Sequence, residues 1–236
     1  MSPPMNEHIA KQFDADLENI RNRVLQMGGL VEQLIVMATD GLASGDMLLV
    51  DEAIAADERV NRHEVELDEA CAQIIARRQP TASDLRLVIT VIKIITDLER
   101  IGDEAKKIAK RAKQIHGTDF HLAPSIEFRH VSGVVVGMLR QALDAFARLD
   151  VVAAGNVVRA DQEVDLEFKS AMRQLITYMM EDPRTISRSL DMVFIAKAIE
   201  RIGDHAKNIA EYVIYMVKGR DVRHIGLAEI EREIAS

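Results

Sequence analysis

The sequence predicts an all-α protein, built as two tandem antiparallel three-helix bundles related by internal duplication. Three observations predict it. Aromatic residues make up 4% of the chain, Trp is absent and Pro occurs 5 times, against 48% hydrophobic residues. A chain poor in aromatics and rich in Ala, Leu, Ile, Met, Glu and Lys suits helices better than sheets. Helix-stopping residues are sparse and leave long uninterrupted stretches between them. Finally, ERIGDEAKKIA at 99–109 returns as ERIGDHAKNIA at 200–210, differing only at Glu104/His205 and Lys107/Asn208.

Taken in order, helix one is expected from about Asn6 to Ala43, stopped by Ser44-Gly45. Asp46 is a fair N-cap for helix two, which should continue to Arg78 before Gln79-Pro80. Thr81 and Asp84 have the spacing of a capping box for helix three, which should end near Gly117. GTDFHLAPS is the longest non-periodic stretch and reads as the connection between halves. Helix four is expected from Ser125 to Leu149 and helix five from Val151 to Met180. Asp182-Pro183 places an N-cap ahead of a proline that pre-sets φ for helix six, which should end at Lys218-Gly219. The tail after Gly219 adds a short helix or contacts a partner.

The halves align beyond the repeated phrase. A constant offset pairs Ala38/Ala142, Asp40/Asp144, Ala43/Ala147, Asp46/Asp150, Asp57/Asp161 and Val60/Val164. The first repeat is therefore placed at 1–117 and the second at 118–236, the latter with the tail. Long helices joined by short turns pack as antiparallel neighbours, and each amphipathic helix needs the others to cover its apolar stripe.

A net charge of −8 argues against non-specific nucleic-acid binding, which needs a basic face, and against docking on anionic lipid. The single cysteine, Cys71, excludes an internal disulfide framework and reads as a small buried apolar residue in a reducing compartment. MSPPMNEH has no basic segment followed by an apolar one, so no secretory signal is expected. The most apolar stretch, LVITVIKII, is interrupted by Lys93 and falls well short of the about 20 residues a membrane span needs. A soluble cytoplasmic protein is expected.

On a helix, Glu99 and Asp103 share a face, as do Glu200 and Asp204. Like charges four apart are unfavourable by roughly a few tenths of a kcal/mol. Lysines at 106, 107 and 207 could offset this on a solvated face, but a solvated face gives no reason to keep residue identity through a duplication. Gly102 and Gly203 sharpen the point, because a mid-helix glycine costs about 1 kcal/mol relative to alanine. Close approach of a helix or a ligand cluster is the usual compensation. Arg100 and Arg201 could orient the carboxylates. Helix two adds Asp57 and Asn61, and helix five adds Asp161 and Asp165. Oxygen donors alone suit a hard or borderline cation such as Mg²⁺, Mn²⁺ or iron. A salt bridge is the alternative reading of Asp57 and Asp161.

Histidines supply little. Glu127 and His130 have the Glu-x-x-His spacing of carboxylate-bridged di-iron bundles, but that site needs two such motifs. This weighs against the alternative of a metal store or oxidase. No phosphate-binding glycine loop, nucleophile elbow or CxxC is present, and no arginine-rich anion nest stands out, so neither catalysis nor direct phosphate binding is expected.

Two copies of ERIGD-x-A-K-x-I-A, each closing a three-helix repeat and each preceded by D-x-x-V-(N/D), resemble the PhoU family across essentially the whole chain. The resemblance implies a cytoplasmic protein of two similar bundles that negatively regulates the phosphate-starvation response. It implies coupling between the ATPase subunit of the phosphate ABC transporter and a sensor histidine kinase, a homodimer, and metal ions at the acidic motifs. Those motifs fall on Glu99/Asp103 and Glu200/Asp204, with Asp57, Asp161 and Asp165 as helpers. Asn61 opposite Asp165 and Lys107 opposite Asn208 make the first half less acidic, so the second site is expected to hold metal more firmly.

Overall fold

The computed structural model describes residues 5–117 and 126–235, with side chains for 12–117 and 126–234. The chain forms α1 (Met5–Ser44), α2 (Met47–Arg78), α3 (Ala82–His116), α4 (Arg129–Arg148), α5 (Val151–Glu181), α6 (Ile186–Lys218) and α7 (Leu227–Ala235). A 3-10 turn, Pro183–Thr185, leads into α6. No strand occurs among the described residues. The expected all-α duplication is what forms.

Local chemistry accounts for most boundaries. Gly45 leaves α1 at φ +73, a left-handed conformation that glycine adopts without a Cβ clash. Asp46 and Asp150 cap α2 and α5 identically, each carboxylate accepting two backbone N–H bonds from the first turn. Thr81 sits at the N-cap of α3 but makes no side-chain cap. The Asp84 N–H bonds the Thr81 carbonyl at 3.1 Å instead, so the expected capping box is not formed. Pro183 opens the 3-10 turn rather than α6 itself. Ser125 lies outside the described residues, as does most of GTDFHLAPS; α4 begins at Arg129.

Within each half the three helices pack on one another, and the halves meet along α3 against α6 and α1 against α4. One continuous apolar cluster runs from Leu17 to Ile230 and includes Cys71, whose thiol burial pushes up to about 12. The two bundles thus share a core instead of standing as separate domains. Contacts across the α3–α6 seam run antiparallel: Arg111 meets Asp191 and Phe194, while Lys93 lies over Tyr212 and Tyr215. At the C-terminus α7 folds back on α5, with Arg159 paired to Glu231 at 2.6 Å and Ile234 packed on Gly155.

Candidate functional site

In the first half, Asp57 of α2 is 1% exposed and faces the repeated phrase on α3. Its Oδ2 accepts from the Lys106 ammonium at 2.5 Å and from the Asn61 amide at 3.4 Å. The Asp57 bond is the main reason the Lys106 pKa stands above its ordinary value. Asp57 Oδ1 and Asn61 Oδ1 are buried without a hydrogen-bond partner. Burial raises the Glu99 pKa, and the charges of Asp103, Glu64 and Asp57 raise it further, which shows how these acids converge. Glu64 belongs to the cluster although the motif reading missed it; Asp57, Asn61 and Glu64 lie at i, i+4 and i+7, one stripe of α2.

The second half repeats the arrangement with changes. Asp161 is buried on α5 and accepts from Lys207 at 2.8 Å. Burial opposes the Lys207 charge, but that bond and the nearby acids outweigh it and raise its pKa. Burial also raises the Asp204 pKa, with Glu200 and Asp161 adding to the shift. Lys197 clasps Glu200 through both carboxylate oxygens, at 2.6 and 2.5 Å. Asp165 lies one turn beyond Asp161, half-buried.

The repeated glycines make equivalent contacts. A Cβ on Gly102 would stand 3.4 Å from a Val60 methyl, and one on Gly203 would stand 3.3 Å from a Val164 methyl. Val60 and Val164 are themselves repeat partners, so both glycines sit at equivalent helix contacts; a Cβ would be slightly tight at Gly203 and in ordinary contact at Gly102. The repeated lysines act differently from the solvated-face reading. They cross to the neighbouring helix and neutralise its buried aspartate, and a buried carboxylate requires such a partner.

At the two positions where the phrases differ, Glu104, His205 and Asn208 reach the other half, while Lys107 pairs within α3. Glu104 meets Lys107 at 2.9 Å and Arg201 at 3.2 Å. At the equivalent place on α6, His205 donates from Nδ1 to Asp97 at 2.6 Å, and Asn208 donates to the same oxygen at 3.3 Å. Burial, reinforced by Asp97, pushes the neighbouring Tyr212 hydroxyl up to about 12. A glutamate at 205 would stand against the buried Asp97, so the seam requires His205 to differ from its repeat partner Glu104. Arg201 therefore serves the seam, not the Glu200/Asp204 pair; Arg100 acts on Glu99 and Glu64 through its charge.

Asp57 Oδ1 and Asn61 Oδ1 are the oxygens that fit a hard cation in chemistry and burial. Glu99 and Asp103 are the further acids of that set. Among the described residues, however, no three His, Cys, Asp or Glu side chains are gathered to hold an ion. Glu127 and His130 do not cooperate: Glu127 pairs with Arg129 and His130 with Glu163.

This is a duplicated helical-bundle protein with one lysine-anchored acidic cluster in each half. The family model described as the PhoU domain matches residues 24–112 and again 128–213. The chain is 49% identical, over 98% of its length and 95% of the relative's, to the phosphate-specific transport system accessory protein PhoU homolog of Pseudomonas aeruginosa. It is 46% identical to the PhoU accessory protein of Escherichia coli K12, over 98% of this chain and 95% of that one. The crystal structure of PhoU from Pseudomonas aeruginosa superposes with TM-score 0.85 at 48% identity, covering 88% of this chain and all of that one. The phosphate transport system regulatory protein PhoU from Streptococcus pneumoniae gives 0.82 at 27% identity, covering 89% and 99%. The chain belongs to the PhoU family.

Proposed function

We propose that this protein is a cytoplasmic negative regulator of the phosphate-starvation response. It acts as an adaptor that couples the ATPase subunit of a phosphate ABC transporter to a phosphate-sensing histidine kinase, and it works as a homodimer. The observation that carries this reading is the 49% identity to an accessory protein of phosphate-specific transport over nearly the whole of both chains. Among the described residues no helix is long and apolar enough to cross a membrane, which agrees with partners supplying the membrane anchor.

The test is genetic. Deleting the gene should derepress a phosphate-starvation reporter in phosphate-rich medium, and restoring the chain should silence it. A reporter indifferent to the deletion would exclude the regulatory reading. Co-purification with the transporter ATPase and the kinase, followed by sedimentation of the chain alone, tests the named partners and the dimer.

A second reading concerns the acidic motifs, where Glu99, Asp103 and Asp57, and Glu200, Asp204, Asp161 and Asp165, take up iron, Mn or Mg. The unpartnered oxygens of Asp57 and Asn61 support it and favour the first half. Lysine neutralises the buried aspartate in both halves, but in the second half Lys197 neutralises Glu200 as well. The expectation of a firmer second site weighed Lys107 against the first, yet Lys107 turns away to Glu104. Elemental analysis of untagged protein prepared without added metal, beside the variant with Glu99, Asp103, Glu200 and Asp204 all changed to Ala, decides the matter. Stoichiometric metal in the wild type and none in a still-helical variant is the expected result.

A further inference from the structure

A cavity of about 350 Å³ lies where α1, α3, α4 and α6 meet, lined by His116, Arg129, Ser132 and Arg188 among others. We propose that it is a binding site for a small tetrahedral oxyanion of the phosphate type. Arg129 and Arg188 come from different halves of the sequence's second repeat and converge only in the folded chain. Ser132 is 5% exposed, and its hydroxyl has no hydrogen-bond partner. Such a group carries the cost of its desolvation until something bonds it.

Helix α4 starts at this cavity with no side-chain cap on its first turn. The N–H groups of a helix's first turn and the positive end of its dipole favour an anion. Opposite, His116 donates from Nε2 to the Leu42 carbonyl at 2.8 Å, which holds the ring in place at the rim. The Thr39 hydroxyl is committed to the Ile35 carbonyl, leaving its oxygen able to accept but not to donate. Among the described residues one acid lines the same space, Glu127, and it is paired with Arg129 at 3.5 Å.

Across the pseudo-twofold, the positions of Arg129 and Arg188 are taken by Leu25 and Leu87, which line a space of about 460 Å³ together with Ala147 and Arg21. Arg21 there is committed to the Ala147 carbonyl at 2.8 Å, and Asp14 and Glu18 make the lining acidic. The repeat partner of Ser132 is Gly28, and there Leu143 packs directly into the space a Cβ would take. Leu143 corresponds to Thr39. Thus leucine packs on glycine on one side of the α1–α4 crossing, whereas the other side presents threonine and serine flanked by two arginines. A 350 Å³ space suits a phosphate ion with bound water or a compact phosphomonoester.

Titration calorimetry with inorganic phosphate, and separately with phenyl phosphate, tests the proposal; it stands apart from the regulatory reading because it reads binding alone. Saturable binding that weakens at least tenfold in both Ser132→Ala and the Arg129→Gln, Arg188→Gln double variant is expected. Circular dichroism melting checks that each variant is folded, and Ser132→Ala removes one hydroxyl from a helix that should tolerate alanine. Tighter binding of phosphate than of phenyl phosphate assigns the site to the free ion, and the reverse order assigns it to a phosphorylated group. No saturable binding of either anion by the wild type overturns the proposal, as does affinity unchanged in both folded variants.

Discussion

The two halves of the molecule carry the same phrase on the same kind of bundle, yet they are finished differently. In the first, α1 has 40 residues and runs beyond the start of its repeat partner α4, which has 20. The extension is tied to α2 by Arg78–Asp16 and Arg23–Glu66, and it adds Leu17 and Ile20 to the core. In the second half α5 carries smaller or more polar residues where α2 faces that extension: Ala171 stands for Leu67 and Tyr178 for Ile74. Helix α7 instead covers the other end of α5, seated on Gly155 where α2 has Asp51. Duplication preserved the helices and the lysine-anchored aspartates, while length and packing diverged wherever the surroundings differ.

The largest effect should come from removing the lysine that neutralises the more deeply buried aspartate. Lys106→Met leaves Asp57 uncompensated and should cost about 3 kcal/mol in urea unfolding, since breaking a buried pair strands a charge. Lys207→Met should cost less, because the Asp161 side chain is 10% exposed against 1% for Asp57. Equal losses would mean that the two clusters are buried alike.

Truncating the core tests the difference in bundle length. Leu67→Ala should cost about 3 kcal/mol, whereas the second half already holds Ala171 at the equivalent place and tolerates it. A loss under about 1 kcal/mol would show that the α1 extension adds little to the core there.

Glu211 sharpens the comparison through pH. Burial lifts its carboxyl pKa from 4.5 to about 7. Below pH 4.5 the group is neutral in both states and carries no penalty. Above that, the unfolded chain ionises first, so stability falls until the pH passes about 7, by up to roughly 3 kcal/mol. Glu211→Gln should therefore match the wild type at pH 4.5 and exceed it increasingly toward pH 8. The equivalent residue of α3 is the exposed Lys110, so Lys110→Gln should show no such trend.

The smallest expected difference lies at the seam. His205→Ala leaves Asp97 buried with fewer donors and should cost about 2 kcal/mol. Glu104→Ala frees two half-exposed cations and should cost about 1 kcal/mol or less. The reverse order would shift the weight of the seam to its Glu104 end.

By itself the sequence determined the helices, their duplication and the membership of Asp57, Asp161 and the repeated acids in paired clusters. These rest on local chemistry: Asp46 and Asp150 cap through their own backbone neighbours, and i, i+4 spacing sets faces before any tertiary contact exists. The capping box at Thr81 failed where a backbone turn gave the Asp84 N–H the Thr81 carbonyl as its acceptor. What only the tertiary structure decided is which partner each charge meets. Lys106 and Lys207, expected to answer acids on their own helix, reach across to another, since a buried carboxylate outcompetes exposed ones for a counterion, whereas Lys107 stays with Glu104 on α3. Glu104, His205 and Asn208 look like drift within a repeat until the antiparallel seam sets them against Arg201 and Asp97. Arg129 and Arg188 lie far apart in the chain, and their meeting beside Ser132 depends on two helices crossing, which no periodicity in the sequence encodes.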